Sequence, residues 1–241
     1  MAVAEPADAG PPRARPWSGG GREELAAAVR RLMALTVTAT APTEVLADAA
    51  ERATALADEL ERRVPEVGPV PTTRFADHSV RPQEVDGLAA AMPFDMIIGS
   101  CNPVALPITI EFQPPTAIGS AVFTAPYEGA PGCVHGAVLA GAFDIMLTAA
   151  NVIADGAGPT VELSIRYLKP TLIAQPARFE AWVTALDSRR THSEGRLVQG
   201  GVVTVEARGE FVNMERSRIA AMHRRDATGD ASDSRGTGPT V

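Results

Sequence analysis

Residues 136–154, GAVLAGAFDIMLTAANVIA, form a continuous apolar stretch of nearly membrane-spanning length. Asp144 lies close to the middle of this stretch. A lone carboxylate at the centre of a bilayer is costly, so a membrane span is a poor interpretation. A helix that is apolar on nearly all sides is instead typical of the interior of a globular fold. We therefore expect these residues to form a helix enclosed by the rest of the protein.

Runs of alternating apolar and polar residues lie on both sides of this helix, as half-buried strands do. Two runs precede the helix, and the chain after it has room for three or four more. The clearest are 104–112, 120–125, 161–168, 178–185 and 203–212. Strands of this kind form an antiparallel sheet with one apolar and one polar face. A curved antiparallel sheet wrapped around one central helix satisfies both patterns, and the predicted fold class is α+β.

The chain outside this core divides by composition. Residues 22–64 carry leucines and alanines at helical spacing in two stretches, with a break at Ala41-Pro42-Thr43. We expect a helical extension of two helices, the second of about six turns. Prolines open a linker over 65–97, and residues 98–214 form the core domain. Residues 1–21 and the charged tail 215–241 are rich in small and polar residues, which predicts disorder.

Charge and cysteine content exclude several classes of protein. The 241 residues carry 22 Lys and Arg against 29 Asp and Glu, a net charge of −7 that argues against a nucleic-acid binder. Cys101 and Cys133 cannot build a disulfide framework or a four-thiolate metal site, and the four histidines are scattered. We expect no metal. The first 21 residues lack the apolar run of a signal peptide, so we expect a cytoplasmic protein without membrane contacts.

The approach to the central helix is where we expect chemistry. The backbone N–H groups of Gly136 and the residues after it have no helical acceptor, and the helix dipole adds partial positive charge. Such a terminus can stabilise a negative oxygen. Asp144, nine residues after His135, is a carboxylate inside an apolar helix, which is costly unless it is paired or functional. Thr160 follows at the start of the next strand.

At these residues the chain resembles the hotdog-fold acyl-CoA thioesterases, nearest to their phenylacetate-pathway and THEM-type branch. The likeness is carried by YEGAPGCVHGAVLAGAFD at 127–144 and GPTVELSIRYLKP at 158–170, and it covers roughly residues 98–213. Asn102-Pro103 resembles an Asn-Pro element ahead of the first strands in such proteins. One departure is Ala137, which stands where the motif has a second Gly. It keeps its N–H, but its methyl narrows the approach of a substrate.

The resemblance implies a hotdog fold that hydrolyses an acyl-CoA thioester to coenzyme A and a free carboxylic acid. Asp144 is then the nucleophile or the general base on water, and the Gly136 N–H polarises the thioester carbonyl. His135 orients the thioester or braces the loop, and Thr160 positions water or hydrogen-bonds to Asp144. The Gly of one subunit meets the Asp of another, which implies a homodimer or a dimer of dimers.

No metal or redox cofactor is implied, since coenzyme A enters only as part of the substrate. Asn102 and Ala137 are candidates for substrate contacts through the same likeness. Arg189 and Arg190 lie near a turn between strands, where they either bind the anionic phosphates of coenzyme A or form a solvated turn. We expect Arg196 near the same turn, and Arg166 and Lys169 are further cationic candidates.

Three alternatives are weighed against the thioesterase. A hotdog hydratase needs a His a few residues after the helical Asp, where Ala149 and Ala150 stand. A Cys133–His135 nucleophile pair lacks a third orienting group at a recognisable spacing. A non-catalytic acyl-CoA or acyl-carrier binding module has the same pocket without turnover, and the presence of Asp144 argues against it.

Overall fold

A computed structural model of the chain describes residues 20–64, 87–156 and 158–213. The predicted tails lie outside these residues, apart from the last positions of the first tail, and so does most of the predicted linker. The helices of the described chain are α1 Gly21–Thr38, α2 Thr43–Arg63, α3 Gly87–Ala91 and α4 Gly136–Ile153, with a 3₁₀ turn at Ala125–Tyr127. The strands are β1 Ile108–Gln113, β2 Thr116–Val122, β3 Thr160–Tyr167, β4 Pro176–Leu186, β5 Arg190–Gln199 and β6 Val202–Val212.

The strands form one antiparallel sheet of six, in the order β1-β2-β4-β5-β6-β3. Helix α4 packs against every strand of the sheet. Its Phe143 and Met146 have no exposed surface. The predicted α+β fold, a sheet around one central helix, is confirmed. By length and composition α4 could cross a membrane, but most of it is buried in this fold.

Two glycines let the sheet approach the helix closely. A Cβ at Gly119 in β2 would lie 2.6 Å from the Met146 sulfur, and one at Gly209 in β6 would lie 2.8 Å from Leu147. Real Cβ atoms do not reach such distances, so a larger residue at either position requires the neighbouring side chains to shift.

Strand β5 was not predicted as a separate strand, because its core-facing positions are not apolar. Thr191, Ser193, Gly195 and Leu197 alternate as its buried residues. Only one of these four is a large hydrophobic side chain, so the period-two signal of β5 is weak. Arg196 consequently lies within β5, and its assignment to the turn before β5 is wrong.

Two predicted strand boundaries also move. The run 104–112 becomes strand only from Ile108, because the residues before it form turns closed by bonds such as Ala105 N–H to the Asn102 carbonyl. The run 120–125 overlaps only the last three residues of a strand that runs from Thr116 to Val122. Its first half reads as Thr-Ala-Ile-Gly, where the alternation is indistinct.

Strand β3 lies at one end of the sheet and pairs with β6 alone in the described chain. Its apolar residues are only partly covered. Leu163 and Ile165 are half-buried, whereas Val161 and Tyr167 are 51% and 53% exposed. The other backbone edge of β3 is therefore open to a further strand.

The two N-terminal helices differ in how they meet the core. Helix α1 buries Ala26, and its Arg30 guanidinium donates to the Asn102 carbonyl at 2.8 Å. The Glu23 carboxylate of α1 accepts from the Ser100 hydroxyl. Helix α2, which fills the second half of the predicted extension, has no buried residue among those described.

Candidate active site

His135 begins the central helix as its N-cap. Its backbone is extended, with φ −62° and ψ 134°, and its Nδ1 accepts a hydrogen bond from the Ala137 N–H at 3.0 Å. This bond satisfies one of the donors that a helix start leaves unpaired. Because Nδ1 is the acceptor, the neutral ring carries its proton on Nε2. The side chain of His135 therefore braces the helix start.

The Gly136 N–H is the donor left over at this helix start. It makes no hydrogen bond within the part of the chain that the structure describes. The carbonyl of the same residue accepts from the Tyr167 hydroxyl at 2.8 Å. A Cβ at position 136 would lie 3.2 Å from the Tyr167 ring and hydroxyl, so glycine gives the tyrosine its room.

The loop before the helix is held by short-range bonds. Gly129 and Cys133 are joined by a backbone bond of 2.9 Å, and the Glu128 carboxylate accepts from the Gly132 N–H. Gly132 has φ +75°, which favours glycine. A Cβ at Gly129 would lie 2.9 Å from the His135 Cα. This loop therefore depends on its glycines to present His135 and Gly136.

Asp144 lies two turns further along α4 and is half-buried. Its Oδ1 accepts from the Thr160 hydroxyl at 2.7 Å, and the Thr148 hydroxyl donates to its backbone carbonyl at 2.9 Å. Its Oδ2 makes no hydrogen bond among the described residues. The carboxylate is thus oriented through one oxygen and has the other available for a ligand or a water.

The two chemical groups are too far apart in one copy of the chain to share a substrate atom. Gly136 and Asp144 are eight residues apart on one helix. At 1.5 Å per residue this separation is about 12 Å along the axis. A thioester carbonyl bound at the Gly136 N–H cannot reach the Asp144 carboxylate of the same copy.

A cavity of about 690 Å³ opens at the Gly136 end of the helix. His135, Gly136 and Leu139 line it from the loop and the helix, and Tyr167 and Lys169 line it from the end of β3 and the segment after it. Asp144 is not among its lining residues. Its lining is mixed apolar and polar and includes the residue with the free backbone donor, as is common for small-molecule sites.

Comparison with known proteins finds one family model and several solved structures that are similar to this chain. Residues 131–206 match the family model described as the thioesterase superfamily. Over these residues the chain is similar to the thioesterase superfamily. The crystal structure of a thioesterase-superfamily protein is 27% identical, with a TM-score of 0.69, over 83% of this chain and 94% of that chain. The shared length exceeds residues 98–241, so it includes part of the N-terminal region.

Two further solved structures each match less than half of this chain. The Escherichia coli PaaI protein from the phenylacetic acid degradation operon is 18% identical over 46% of this chain and 81% of that chain, with a TM-score of 0.43. A hypothetical thioesterase protein with coenzyme A from Streptococcus pneumoniae is 16% identical over 44% and 87%, with a TM-score of 0.41. A search of the curated proteins finds no match.

The structure gives Asn102 a role in the segment before β1. Its Nδ2 donates to the Phe94 carbonyl at 3.0 Å, and its Oδ1 accepts from the Val104 N–H at 3.1 Å. Both ends of the side-chain amide are therefore used in holding the segment that α1 covers. Asn102 is not among the residues that line the cavity.

The predicted pair Arg189 and Arg190 lies at the turn between β4 and β5. Both backbone N–H groups donate to the Asp187 carboxylate at 2.7 Å, and these bonds hold the pKa of Asp187 below its usual value. The Arg190 guanidinium pairs with Glu210 at 2.8 Å. Neither arginine lines the cavity, whereas Lys169 does and has no ion pair among the described residues.

The structure changes the assignment of two residues near the helix start, Cys133 and Tyr167. The Cys133 thiol donates to the Pro131 carbonyl at 3.6 Å, and the His135 Nδ1 is taken by Ala137, so the structure shows no Cys–His pair. Tyr167 was not predicted as a site residue. In sequence it is one of four alternating residues on a strand face, and only its contact with Gly136 places it at the site.

Proposed function

We propose that this protein hydrolyses an acyl-CoA thioester to coenzyme A and a carboxylic acid. The observation that carries this proposal is the pairing, on one helix, of a free Gly136 N–H with an oriented Asp144 carboxylate. The first group can stabilise the oxyanion that forms when a thioester carbonyl is attacked. The second can take a proton from water or attack the carbonyl carbon itself.

Two routes use these groups, and both end in the same products. In the first, Asp144 accepts a proton from water, the water oxygen bonds to the carbonyl carbon, and the C–S bond breaks. The thiolate of coenzyme A then takes the proton from Asp144. In the second, an Asp144 oxygen bonds to the carbonyl carbon and displaces the thiolate, and water then hydrolyses the resulting anhydride.

The proposal requires two copies of the chain, because the groups of one copy lie about 12 Å apart. Strand β3 supplies a way to join two copies. Thr160 and Tyr167 are the two ends of β3, one beside Asp144 and the other beside Gly136. Antiparallel pairing of the open β3 edge with the same edge of a second copy places the Asp144 end of one beside the Gly136 end of the other. The proposed active unit is therefore a homodimer with two equivalent sites.

The cavity at Gly136 is the proposed place for the thioester. Leu139 gives it apolar surface for the acyl group or the pantetheine arm. Lys169 adds a cation at the rim of this cavity, where it can meet an anionic phosphate of coenzyme A. In one copy the geometry favours Lys169 over Arg189 and Arg190 for this contact.

Thiol release from short, long and aromatic acyl-CoA substrates tests the proposal. We expect release by the wild type, and a loss of about 100-fold or more in kcat for Asp144→Asn. Glu111→Gln is the matched control, because Glu111 is an exposed carboxylate of β1 that bonds only to Gln113 among the described residues. If both the wild type and Asp144→Asn bind acyl-CoA and neither releases thiol, the chain is a binding module and the hydrolase proposal is wrong.

A further inference from the structure

The peptide group between Gly136 and Ala137 is held at both of its ends. Its carbonyl oxygen, on Gly136, accepts from the Tyr167 hydroxyl at 2.8 Å. Its N–H, on Ala137, donates to the His135 Nδ1 at 3.0 Å. A peptide group is a rigid plane, so two bonds at opposite ends fix its orientation. The Gly136 N–H lies in the preceding peptide plane, which is joined to this one at the Gly136 Cα, so holding this plane limits rotation about the backbone bonds of Gly136.

The hydroxyl of Tyr167 is not required for the helix to form. An α-helix already supplies each carbonyl with an N–H four residues on. Tyr167 is also 53% exposed, so its ring adds little to the core. Its ring and hydroxyl nevertheless lie 3.2 Å from the place where a Cβ of residue 136 would be. The contact is therefore specific to the helix start and to the residue with the free N–H.

We propose that Tyr167 is a positioning residue for the oxyanion donor. It clamps the Gly136–Ala137 peptide against the His135 cap, so that the Gly136 N–H keeps one direction at the cavity. This inference rests on the proposed thioester hydrolysis. It assigns to β3 a second task, because the strand that orients Asp144 through Thr160 also orients Gly136 through Tyr167.

The chain contains two tyrosines, and the other one is a matched control. The Tyr127 hydroxyl also donates to a backbone carbonyl, that of Ala105, at 3.1 Å. Tyr127→Phe and Tyr167→Phe therefore each remove one hydroxyl bond to a main-chain oxygen. Only the second removes it from the helix start.

Steady-state thiol release, the oligomeric mass and the amide spectrum of both variants test the inference. For Tyr167→Phe we expect kcat to fall by about tenfold, KM to change by less than about twofold and the mass to match the wild type. The nitrogen–proton resonances of Gly136 and Ala137 should shift in this variant. For Tyr127→Phe we expect kcat and these two resonances to stay as in the wild type.

Three results would overturn the inference, and they separate it from the hydrolase proposal. Wild-type turnover that Tyr167→Phe retains in full contradicts the positioning role and leaves the hydrolase intact. A changed oligomeric mass together with lost turnover assigns Tyr167 to subunit contact instead. If the wild type releases no thiol from any substrate, both proposals fail together.

Discussion

The hydroxyl of Thr160, the first residue of β3, donates to the carboxylate of Asp144, the ninth residue of α4, over 2.7 Å. This bond joins the edge strand to the central helix beside the only carboxylate that α4 carries. A bulge lies directly after it, between Thr160 and Glu162. A bulge re-aims side chains locally, which lets the first residue of β3 turn toward the helix.

Removing the Thr160 hydroxyl should lower the rate of the proposed reaction. Thr160→Val keeps the shape of the side chain but cannot donate, so the Asp144 carboxylate loses its only side-chain partner among the described residues. We expect kcat to fall by about tenfold, a loss of about 1.4 kcal/mol in transition-state stabilisation. Thr160→Ser keeps the donor and should stay within about threefold of the wild type. Equal kcat for the valine and serine variants would contradict a role for this bond.

The Gly136 N–H can be deleted with little change to the helix. Proline lacks the N–H and is favoured at the first position of a helix. The residue before it must be extended, and His135 already is, with ψ 134°. We expect Gly136→Pro to lower kcat by about 100-fold or more, as loss of an oxyanion donor does.

Gly136→Ala is the control for this substitution. It adds a Cβ in the same place, against Tyr167, but keeps the N–H. Thiol release by the alanine variant should therefore exceed that of the proline variant by at least about tenfold. If the two variants are equally impaired, crowding against Tyr167 explains the loss and the N–H does not.

Two inactive variants should restore activity when they share a dimer. In the proposed homodimer each site takes Gly136 from one copy and Asp144 from the other. A mixed dimer of Gly136→Pro and Asp144→Asn then has one intact site and one doubly altered site. Co-expression in equal amounts should give about a quarter of the wild-type activity per chain, because half of the dimers are mixed.

Differently tagged copies and tandem purification identify the mixed dimer, and thiol release measures its activity. The purified mixed dimer should have about half of the wild-type activity. Co-expression of each variant with a second copy of itself is the control. If the mixed dimer is as inactive as its parents, the two groups do not act across a subunit boundary.

The stability contributed by Glu180 should depend on pH. Its carboxylate accepts from Arg196 and Arg178, and these bonds hold the pKa of Glu180 below its usual value. A lowered pKa in the folded state stabilises the protein above the unfolded pKa of about 4.3, and the effect is lost as pH falls through the folded pKa. Both arginines are about half exposed, so the contribution is about 1 kcal/mol or less.

Urea denaturation of the wild type and Glu180→Gln measures this effect. The wild type should be the more stable of the two at pH 7. At acidic pH the difference should be smaller, because it shrinks as the pH falls below about 4.3 and through the lower pKa of folded Glu180. Glu111→Gln, which removes a carboxylate without an arginine partner among the described residues, should show a smaller difference at both pH values. A difference for Glu180→Gln that is the same at both pH values would mean that its charge is not the cause.

The central helix and most of the sheet could be predicted because buried positions carry apolar residues at a spacing that local sequence shows. Helix α4 reads as apolar on all sides, and it is enclosed. Strand β5 gives a weaker signal, because Leu197 is the one large hydrophobic side chain on its buried face and Gly195 lies against Phe143 and Leu147. Packing against a helix decides that composition, and the sequence of β5 alone does not contain it.

The candidate site, like the fold, could be predicted only in part from the sequence. The sequence placed His135, Gly136 and Asp144 along one helix, where spacing is fixed by the helix itself. It could not place Tyr167 beside Gly136, because that contact depends on how β3 lies across α4. Nor could it show that both ends of the Asn102 amide bond to Phe94 and Val104, because these contacts depend on the local turn and not on a sequence pattern.

The length of β3 has a consequence for how such a site can vary. Its first and eighth residues make two anchoring contacts, one to the carboxylate and one to the helix start. An insertion or deletion inside the strand moves one contact relative to the other and turns the following side chains to the opposite face. The length of β3 therefore sets the distance between the contact to Asp144 and the contact to Gly136. Two segments outside β3 also line the cavity, namely the glycine-rich loop before α4 and the segment around Lys169. Substitutions there can alter substrate preference while the reacting groups keep their spacing.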